Sequence, residues 1–198
     1  MPIGYDLGDF GADVLKVEPS GGESGRTMAP FFHDDPHPEK SLFFLLLNLN
    51  KRGITLNLET EDGRGLFRRL AATADVILET FAPGYLSSLG LGYEKLRESN
   101  PRLVMCSLTP FGQTGPWRDF LTADLLHMAA GGQMACCGYD KEDDPGEIPI
   151  APGGGNAWHI GSHYAYMAIM SALVYRTNTG IGQYIDTSVH DSCALTTE

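Results

Sequence analysis

The sequence predicts an α/β fold with a mainly parallel open sheet and helices on both faces. Segments patterned like strands alternate with segments whose apolar residues recur at helical spacing, along nearly the whole chain. Several strand-like segments are apolar along most of their length, which is typical of strands that helices cover on both faces. Repeated alternation of this kind indicates parallel strands joined by crossover helices. Ligands of such sheets sit at the carboxyl ends of the strands, so we expect functional residues in the segments that follow them.

The local patterns also predict where the elements lie. We expect strands at residues 12–18, 52–58, 75–80, 102–108 and 183–189. Helices are expected at residues 62–74, 93–99, 124–132 and 159–176, and the last is apolar nearly all round and therefore buried. Thr60 is expected to cap the first of these helices. The chain opens in a helical pattern and stops in another, so we expect it to be part of a larger domain.

Composition and charge restrict the function classes. The chain has 198 residues and a formal net charge of -11, which argues against binding to the phosphate backbone of nucleic acids. No apolar run is long enough to span a membrane, and the first residues do not resemble a signal peptide. The cysteines form no CxxC pair, so we expect free thiols and a cytoplasmic protein. The cysteines are Cys106, Cys136, Cys137 and Cys193.

One stretch, "PIAPGGGNAWHIGSHY" at residues 149–164, is a candidate for a functional site because it combines three glycines with two histidines. Its glycines do not follow a strand or match a phosphate-binding loop. His159 and His163 have the spacing of a zinc-binding helix, but Ile160 stands where the general base would be, so we predict no metal. The acidic segment 138–149 just before it is expected to be a surface insert.

Four longer segments together resemble one known family. They are "LGDFGADVLKVEP" (7–19), the segment 48–70, the segment 74–116 that contains "ETFAPGYL", and "TGIGQYIDTSVHD" (179–191). In this order and spacing they resemble the class III CoA-transferases of the CaiB/BaiF type, which include formyl-CoA transferase, carnitine CoA-transferase and the alpha-methylacyl-CoA racemases.

The resemblance implies a Rossmann-like large domain in a chain of about twice this length, with two chains interlocked as a dimer. Residues 1–198 would then be part of the large, CoA-binding domain. The first strand and the C-terminal half of the family's chain would be missing. The expected partners are small molecules, an acyl-CoA and a carboxylic acid, together with a second family chain in a homodimer or heterodimer.

The resemblance also implies CoA contacts by position. Formyl-CoA transferase has basic residues at three of these positions, and here they are Pro19, Glu59 and Ser88. The CoA phosphates would therefore need other cations. The candidates that we carry forward are Pro19, Leu56, Glu59, Thr80, Phe81 and Ser88 by position, and Lys51, Arg52 and Arg26 as replacement cations.

The family's nucleophile is the feature that the sequence lacks. In the family an Asp attacks the acyl-CoA thioester, forms a mixed anhydride and is then thioesterified by CoA. That Asp lies just before the long helix, about 25 residues ahead of the TGxGQ turn. Counting back from Gln183 reaches Trp158, and residues 156–161 contain no carboxylate. The racemase variant also needs a His where this chain has Ala123.

Three interpretations follow from the missing nucleophile. The chain could transfer CoA between acids with changed chemistry, in which His159 transfers a proton and the glycines offer N–H groups to the thioester oxygen. Asn156 is the second catalytic candidate, although its amide cannot form the anhydride. It could instead be the subunit without a nucleophile in a heteromeric CoA-transferase. It could also be an inactive, truncated family member.

Overall fold

The computed structural model describes residues 3–137 and 150–197. The acidic insert that we predicted at 138–149 therefore lies outside the described residues. The helices are α1 (Ile3–Asp9), α2 (Leu42–Leu47), α3 (Glu61–Ala71), α4 (Tyr85–Ser88), α5 (Tyr93–Leu96), α6 (Asp124–Ala130), α7 (Asn156–Thr179) and α8 (Val189–Leu195). The strands are β1 (Val14–Glu18), β2 (Lys51–Thr55), β3 (Val76–Glu79), β4 (Val104–Thr109) and β5 (Tyr184–Ser188).

All strand pairs are parallel, as predicted, and they form two sheets. β1 pairs with β2 from Val14 opposite Lys51 to Glu18 opposite Thr55. β4 lies between β3 and β5 in the second sheet, with Met105 opposite both Ile77 and Tyr184. The parallel α/β architecture is thus confirmed, while the described strands are divided between a two-stranded and a three-stranded sheet.

β4 is buried along its whole length because apolar groups cover both faces of its sheet. On one face, Cys106 and Leu108 pack in a core cluster with Ile169 of α7. On the other face, Met105 packs with Leu86 of α4. Alternate side chains of one strand therefore enter two separate cores, as a strand with helices on both faces requires.

α7 is longer than the predicted helix and only partly buried. It runs from residue 156 to residue 179 because glycines in left-handed conformation, Gly155 at φ 75° and Gly180 at φ 77°, end it on both sides. Ala165 and Ile169 are fully buried, but one stripe of the helix is exposed. The expectation that this apolar helix is buried all round was therefore wrong. The exposed stripe contains Met167, Met170, Val174 and Tyr175.

The far end of α7 is fixed to the amino ends of the strands. The Arg176 guanidinium donates to the carbonyl oxygens of Asp75 and Arg102, at 3.2 Å and 3.3 Å. It also pairs with the Asp75 carboxylate at 3.0 Å. These contacts hold the last turns of α7 against the segments that enter β3 and β4.

Local signals explain the element boundaries. Thr60 caps α3 as predicted, since its hydroxyl accepts from the Gly63 N–H at 3.1 Å. Ser41 caps α2 in the same way, accepting from the Phe44 N–H at 3.1 Å, although the sequence patterns did not predict α2. None of the helices among the described residues is both long enough and apolar enough to cross a membrane.

Candidate functional site

The carboxyl ends of β3, β4 and β5 meet at one edge, and hydrogen bonds join the segments that follow them. Gln113, after β4, donates its N–H to the Asp186 carboxylate of β5 at 3.0 Å and 3.1 Å. Its side-chain oxygen accepts from the Gly84 N–H at 3.0 Å. The His190 N–H donates to the Pro110 carbonyl at 3.0 Å. These bonds make the edge a single surface rather than three independent loops.

The glycine run at residues 153–155 lies directly before α7 at this edge, and it has no side chain that could cap the helix. Gly154 and Gly155 have φ values of 83° and 75°, which residues with a side chain rarely adopt. The cap comes instead from α6, since the Asp124 Oδ1 accepts from the Ala157 N–H at 2.9 Å. A carboxylate thus lies at the first turn of α7, although it is 33 residues away in sequence.

Trp158 packs into a cluster of rings next to this carboxylate. Its ring lies edge-on to the His127 ring, with centroids 5.3 Å apart. Phe111 lies 5.1 Å and His190 lies 6.2 Å from the same His127 ring. The position reached by counting back from Gln183 is therefore a packed aromatic residue.

His127 is a functional candidate that the sequence patterns did not reveal. It is fully buried, and its Nε2 lies 2.9 Å from the Thr122 hydroxyl. Its Nδ1 has no hydrogen-bond partner among the described residues. Burial, with a smaller contribution from His190, lowers the pKa of His127 below its usual value. A buried neutral imidazole with one free nitrogen can hydrogen-bond a ligand without adding charge.

The two residues predicted to be catalytic lie on the same helical turn but do not join this cluster of rings. Asn156 is half-buried at the start of α7, and His159 is exposed. The His163 Nδ1 lies 2.8 Å from the His159 carbonyl oxygen, so the His163 ring hydrogen-bonds to the backbone of its own helix. Their catalytic roles remain predictions. In the part of the chain that the structure describes, no three His, Cys, Asp or Glu side chains are placed to hold a metal ion.

Several of the predicted CoA positions come together around Tyr85. The Tyr85 hydroxyl donates to Glu59 Oε1, and its ring lies 4.9 Å from that of Phe81. The Ser88 hydroxyl donates to the Tyr85 carbonyl at 2.7 Å. Phe81 and Glu59 are both exposed, so an aromatic and a polar group are available to a ligand. Tyr85 itself was missed because no motif marks it, and only the folded chain brings it to Glu59.

The remaining CoA positions follow the ends of the strands. Pro19 comes directly after β1, and the Leu56 N–H, just after β2, donates to the Glu18 carbonyl at 2.8 Å. Thr80 comes directly after β3 and is exposed. The positions carried over by resemblance therefore lie at the carboxyl ends of β1, β2 and β3, where this architecture binds ligands.

Glu79 is a buried carboxyl at the same edge. It is 7% exposed, and its Oε2 accepts from the Phe81 N–H at 2.7 Å. Burial raises the pKa of Glu79 above its usual value. The residue also lines an open cavity of about 380 Å³, together with Ser107, Gln113 and Tyr184. Glu79 therefore holds the start of the Thr80–Phe81 segment in place through a backbone hydrogen bond.

Known proteins share the sequence pattern and the fold of this chain. The model of CoA-transferase family III matches residues 3–198. The chain belongs to this family. A crystal structure of a CaiB/BaiF family protein from Brucella suis superposes with a TM-score of 0.88 at 40% identity, over 98% of this chain and 50% of that one.

Two curated relatives of family III are named as subunits. Succinyl-CoA:(R)-benzylsuccinate CoA-transferase subunit BbsE of Thauera aromatica is 38% identical over 189 residues, covering 96% of this chain and 45% of that protein. The beta subunit of succinyl-CoA–L-malate CoA-transferase of Chloroflexus aurantiacus is 40% identical over 189 residues, covering 94% of this chain and 44% of that protein. The chain thus spans about half the length of the curated relatives that it matches.

Two of the cations that we expected to bind the CoA phosphates already have carboxylate partners in this chain. Arg26 pairs with Glu18 at 2.7 Å, and its guanidinium lies 4.0 Å from the centre of the Phe44 ring. Arg52 pairs with Asp13 at 2.6 Å, in an exposed bridge that water screens. Binding a phosphate at either residue requires the ligand to compete with a carboxylate.

Lys51 is the third of these cations. Its ammonium group donates to the Leu47 carbonyl and, at 3.0 Å, to the Asn48 side chain. Burial and, to a smaller extent, the nearby charge of Lys16 lower the pKa of Lys51 from 10.5 to about 8. Lys51 is therefore an ammonium held in place without a carboxylate partner in its hydrogen bonds.

We expect Lys51 to make the stability of the protein rise with pH. Between about pH 8 and pH 10.5 the unfolded chain keeps the Lys51 proton while the folded chain loses it. The unfolded state then binds more protons, so the free energy of unfolding increases across that range. In Lys51→Met this contribution is absent. Urea unfolding at a series of pH values measures the difference between the two proteins, and parallel pH profiles would contradict the expectation.

Proposed function

We propose that this chain takes part in the transfer of CoA from an acyl-CoA thioester to a free carboxylic acid, and that Asp124 provides the nucleophilic carboxylate. One observation carries the proposal: Asp124 Oδ1 lies 2.9 Å from the Ala157 nitrogen, next to the Trp158 position. An indole cannot form an acyl anhydride, whereas a carboxylate can. Membership of family III supports CoA transfer as the reaction class.

The environment of Asp124 suits an ionised nucleophile. The first turn of α7 presents backbone N–H groups and the positive end of a helix of 24 residues. One of these N–H groups already binds Oδ1, which orients the side chain and leaves Oδ2 for attack. Asp124 is half-buried, so part of the carboxylate is accessible to a substrate.

The proposed transfer runs through four displacements. An Asp124 oxygen attacks the thioester carbonyl carbon, the C–S bond breaks, and CoA leaves as a thiolate with a mixed anhydride in place. The thiolate then attacks the Asp124 carbonyl carbon and releases the donor acid as its carboxylate. The acceptor carboxylate attacks this aspartyl thioester and forms a second anhydride with release of CoA thiolate. Attack of that thiolate on the acceptor's carbonyl carbon gives the new acyl-CoA and restores Asp124.

The predicted CoA positions are proposed to hold the nucleotide end of the substrate. Phe81 and Tyr85 offer an aromatic surface on which an adenine can stack, since their ring centroids are 4.9 Å apart and Phe81 is 45% exposed. Glu59 can accept from the exocyclic amine of the base. The thioester end would then reach Asp124 along the edge formed by the segments after β3, β4 and β5.

A second candidate function is the subunit without a nucleophile in a heteromeric CoA-transferase. Two relatives that are named as CoA-transferase subunits favour it. So does the packing of Trp158 against His127, which fills the expected position of the nucleophile with a ring. In this case the attacking carboxylate belongs to the partner chain and Asp124 only caps α7.

Trapping the aspartyl thioester separates the two candidates. The chain is incubated with succinyl-CoA, which several relatives have in their names, and with a panel of dicarboxylic acids, and new CoA thioesters are separated by chromatography. Borohydride then reduces the enzyme thioester to an alcohol, which peptide mass spectrometry locates. We expect the mark on Asp124. Transfer with the mark on another residue would overturn the role of Asp124, and no transfer with any acid would overturn the proposed function for this chain alone.

A further inference from the structure

The open cavity beside Glu79 has no role in the proposed CoA transfer. Side chains of the sheet line it on one side, among them Met105 and Ser107 of β4 and Tyr184 of β5. Residues of α4, of α5 and of the loop between them line it on the other side. Its volume of about 380 Å³ is typical of sites that bind small organic molecules. The rings proposed to hold adenine are not among its lining residues, so the cavity is a separate site.

Glu79 is a buried carboxyl group in this lining, and it has no cation as a partner. It accepts from the Phe81 N–H at 2.7 Å, and the Gln113 amide nitrogen lies 3.5 Å from its Oε1. Ser107, opposite it on β4, also hydrogen-bonds to it. These groups are all neutral, and no Lys, Arg or His side chain within the described ranges forms an ion pair with Glu79. Buried charges in proteins are normally paired, so an ionised Glu79 lacks a counter-ion.

The hydrogen bonds to Glu79 do not compensate for its burial. Burial raises the pKa of Glu79, and it outweighs the hydrogen bonds from Ser107 and Phe81, which lower that pKa. The nearby Asp186 carboxylate raises the pKa further. Glu79 and Asp186 lie opposite Ser107 from its two sides, and residues opposite each other share one face of a sheet. A positive charge in the cavity would therefore be attracted by two carboxylates.

The composition of the lining favours an organic cation over a bare metal ion. Among the described residues, no third carboxylate, thiol or imidazole joins Glu79 and Asp186 in a group that could hold a metal. Leu86 and Met105 add apolar surface, which a metal ion cannot use but a carbon skeleton can. The cavity thus combines a buried carboxyl group with room and contacts for an apolar body.

The aromatic and basic residues of the lining also suit a cation. Lys95 is the only basic residue among the lining residues that the structure describes, and Glu98 neutralises it in an ion pair of 2.7 Å. Tyr93 and Tyr184 contribute rings, whose faces attract cations. The Arg97 guanidinium already lies 5.8 Å from the centre of the Tyr93 ring. A positively charged ligand would therefore gain from the rings without facing an unpaired cation in this lining.

We propose that this cavity binds a small organic ammonium ion. The ammonium group donates to the Glu79 carboxylate, and the carbon skeleton packs against Leu86 and Met105. The inference does not depend on the proposed CoA transfer, because neither Asp124 nor Phe81 lines the cavity. Its test measures binding in the absence of CoA, so either proposal can fail without the other.

The test compares two compounds of nearly equal shape, cyclohexylamine and cyclohexanol. The amine is protonated at neutral pH, as a lysine side chain is, whereas the alcohol is uncharged. Both are titrated into the isotope-labelled chain, and the amide resonances of Phe81 and Gly84 report on the cavity, since their N–H groups donate to Glu79 and Gln113. We expect saturable shifts with a Kd at least about tenfold lower for the amine, a ratio worth about 1.4 kcal/mol. Equal affinities, no saturable shift at millimolar concentrations, or shifts that spare both amides would overturn the proposal.

Matched variants test whether the charge of Glu79 binds the amine. Glu79→Gln keeps an oxygen for the Phe81 N–H but cannot ionise, so we expect the amine to bind at least about tenfold more weakly and the alcohol to stay within about threefold. Glu39→Gln makes the same change at a side chain that is 70% exposed and outside the cavity, which controls for the net charge of -11. It should leave the Kd of the amine within about threefold. An unchanged preference for the amine in Glu79→Gln would contradict the proposal, and if that variant does not fold, the comparison of the two compounds on the parent protein decides.

Discussion

Asp124→Asn is expected to lower the rate of CoA transfer by about 10³-fold or more, because an amide cannot replace a carboxylate as the attacking group. The change should barely affect folding. Asn keeps an oxygen that accepts from the Ala157 N–H, so the cap of α7 survives. The loss is limited to the interaction of a negative charge with the start of the helix, about 0.3–1 kcal/mol. Steady-state rates and urea unfolding of the same preparations measure both effects.

Asp124→Ala separates catalysis from capping. It removes both the nucleophile and the acceptor, so we expect the same loss of rate together with a loss of about 1–3 kcal/mol in the free energy of unfolding. If Asp124 only caps the helix, Asp124→Asn keeps transfer within about tenfold of the parent protein while Asp124→Ala is destabilised. That result would overturn the role of Asp124 as the nucleophile, because another residue would then provide the attacking group.

Gly63→Ala is expected to destabilise the protein by about 3 kcal/mol or more. A Cβ atom at residue 63 would lie 1.8 Å from the Asn57 carbonyl oxygen, a backbone atom that cannot move without its turn. That turn contains Glu59, whose N–H donates to the Asn57 side chain at 2.9 Å. We therefore expect the change to displace Glu59 from Tyr85 as well, and to weaken CoA binding.

Gly65→Ala is the matched control in the same helix. Nothing lies within 4 Å of a Cβ atom at residue 65, and alanine is the better helix former. We expect the free energy of unfolding to rise by about 0.5–1 kcal/mol. Urea unfolding midpoints give the change in the free energy of unfolding for both variants, provided that its slope against urea concentration is unchanged. If Gly63→Ala lowers the free energy of unfolding by less than about 1 kcal/mol, the turn before α3 moves easily to accommodate the methyl group. That turn would then not fix the position of Glu59.

Features that depend on neighbouring residues were predictable from the sequence. Alternating patterns identified the strands and their parallel arrangement, and the Thr60 hydroxyl was correctly predicted to cap α3. Resemblance also identified the family, because four segments kept their order and spacing. Each of these inferences needs only a periodicity, a cap or a motif, and all three are visible without knowing how distant segments pack.

Features that depend on packing between distant segments were not predictable. The sequence showed no carboxylate near Trp158, yet Asp124 reaches the adjacent residue from α6. Tyr85 joins Glu59 from 26 residues away. The predicted start of the long helix at 159 was also three residues too late, because α7 begins directly after Gly155, whose left-handed conformation ends it there. Counting along the chain reached the first turn of α7, but it could not show that Asp124 contacts that turn.

Because α7 is anchored at Arg176, a small rotation at this end of the helix becomes a larger displacement at its first turn. About 30 Å of stiff helix, at about 1.5 Å per residue, separate this anchor from the first turn. A tilt of only about 2° at the anchor moves the first turn by about 1 Å, a displacement that can cost a reaction about 100-fold in rate. The hydrogen bonds from Arg176 to Asp75 and Arg102 therefore help to fix the position of the first turn of α7, at the opposite edge of the sheet. A molecule that binds the exposed stripe of α7 can tilt the helix about this anchor and so displace its first turn.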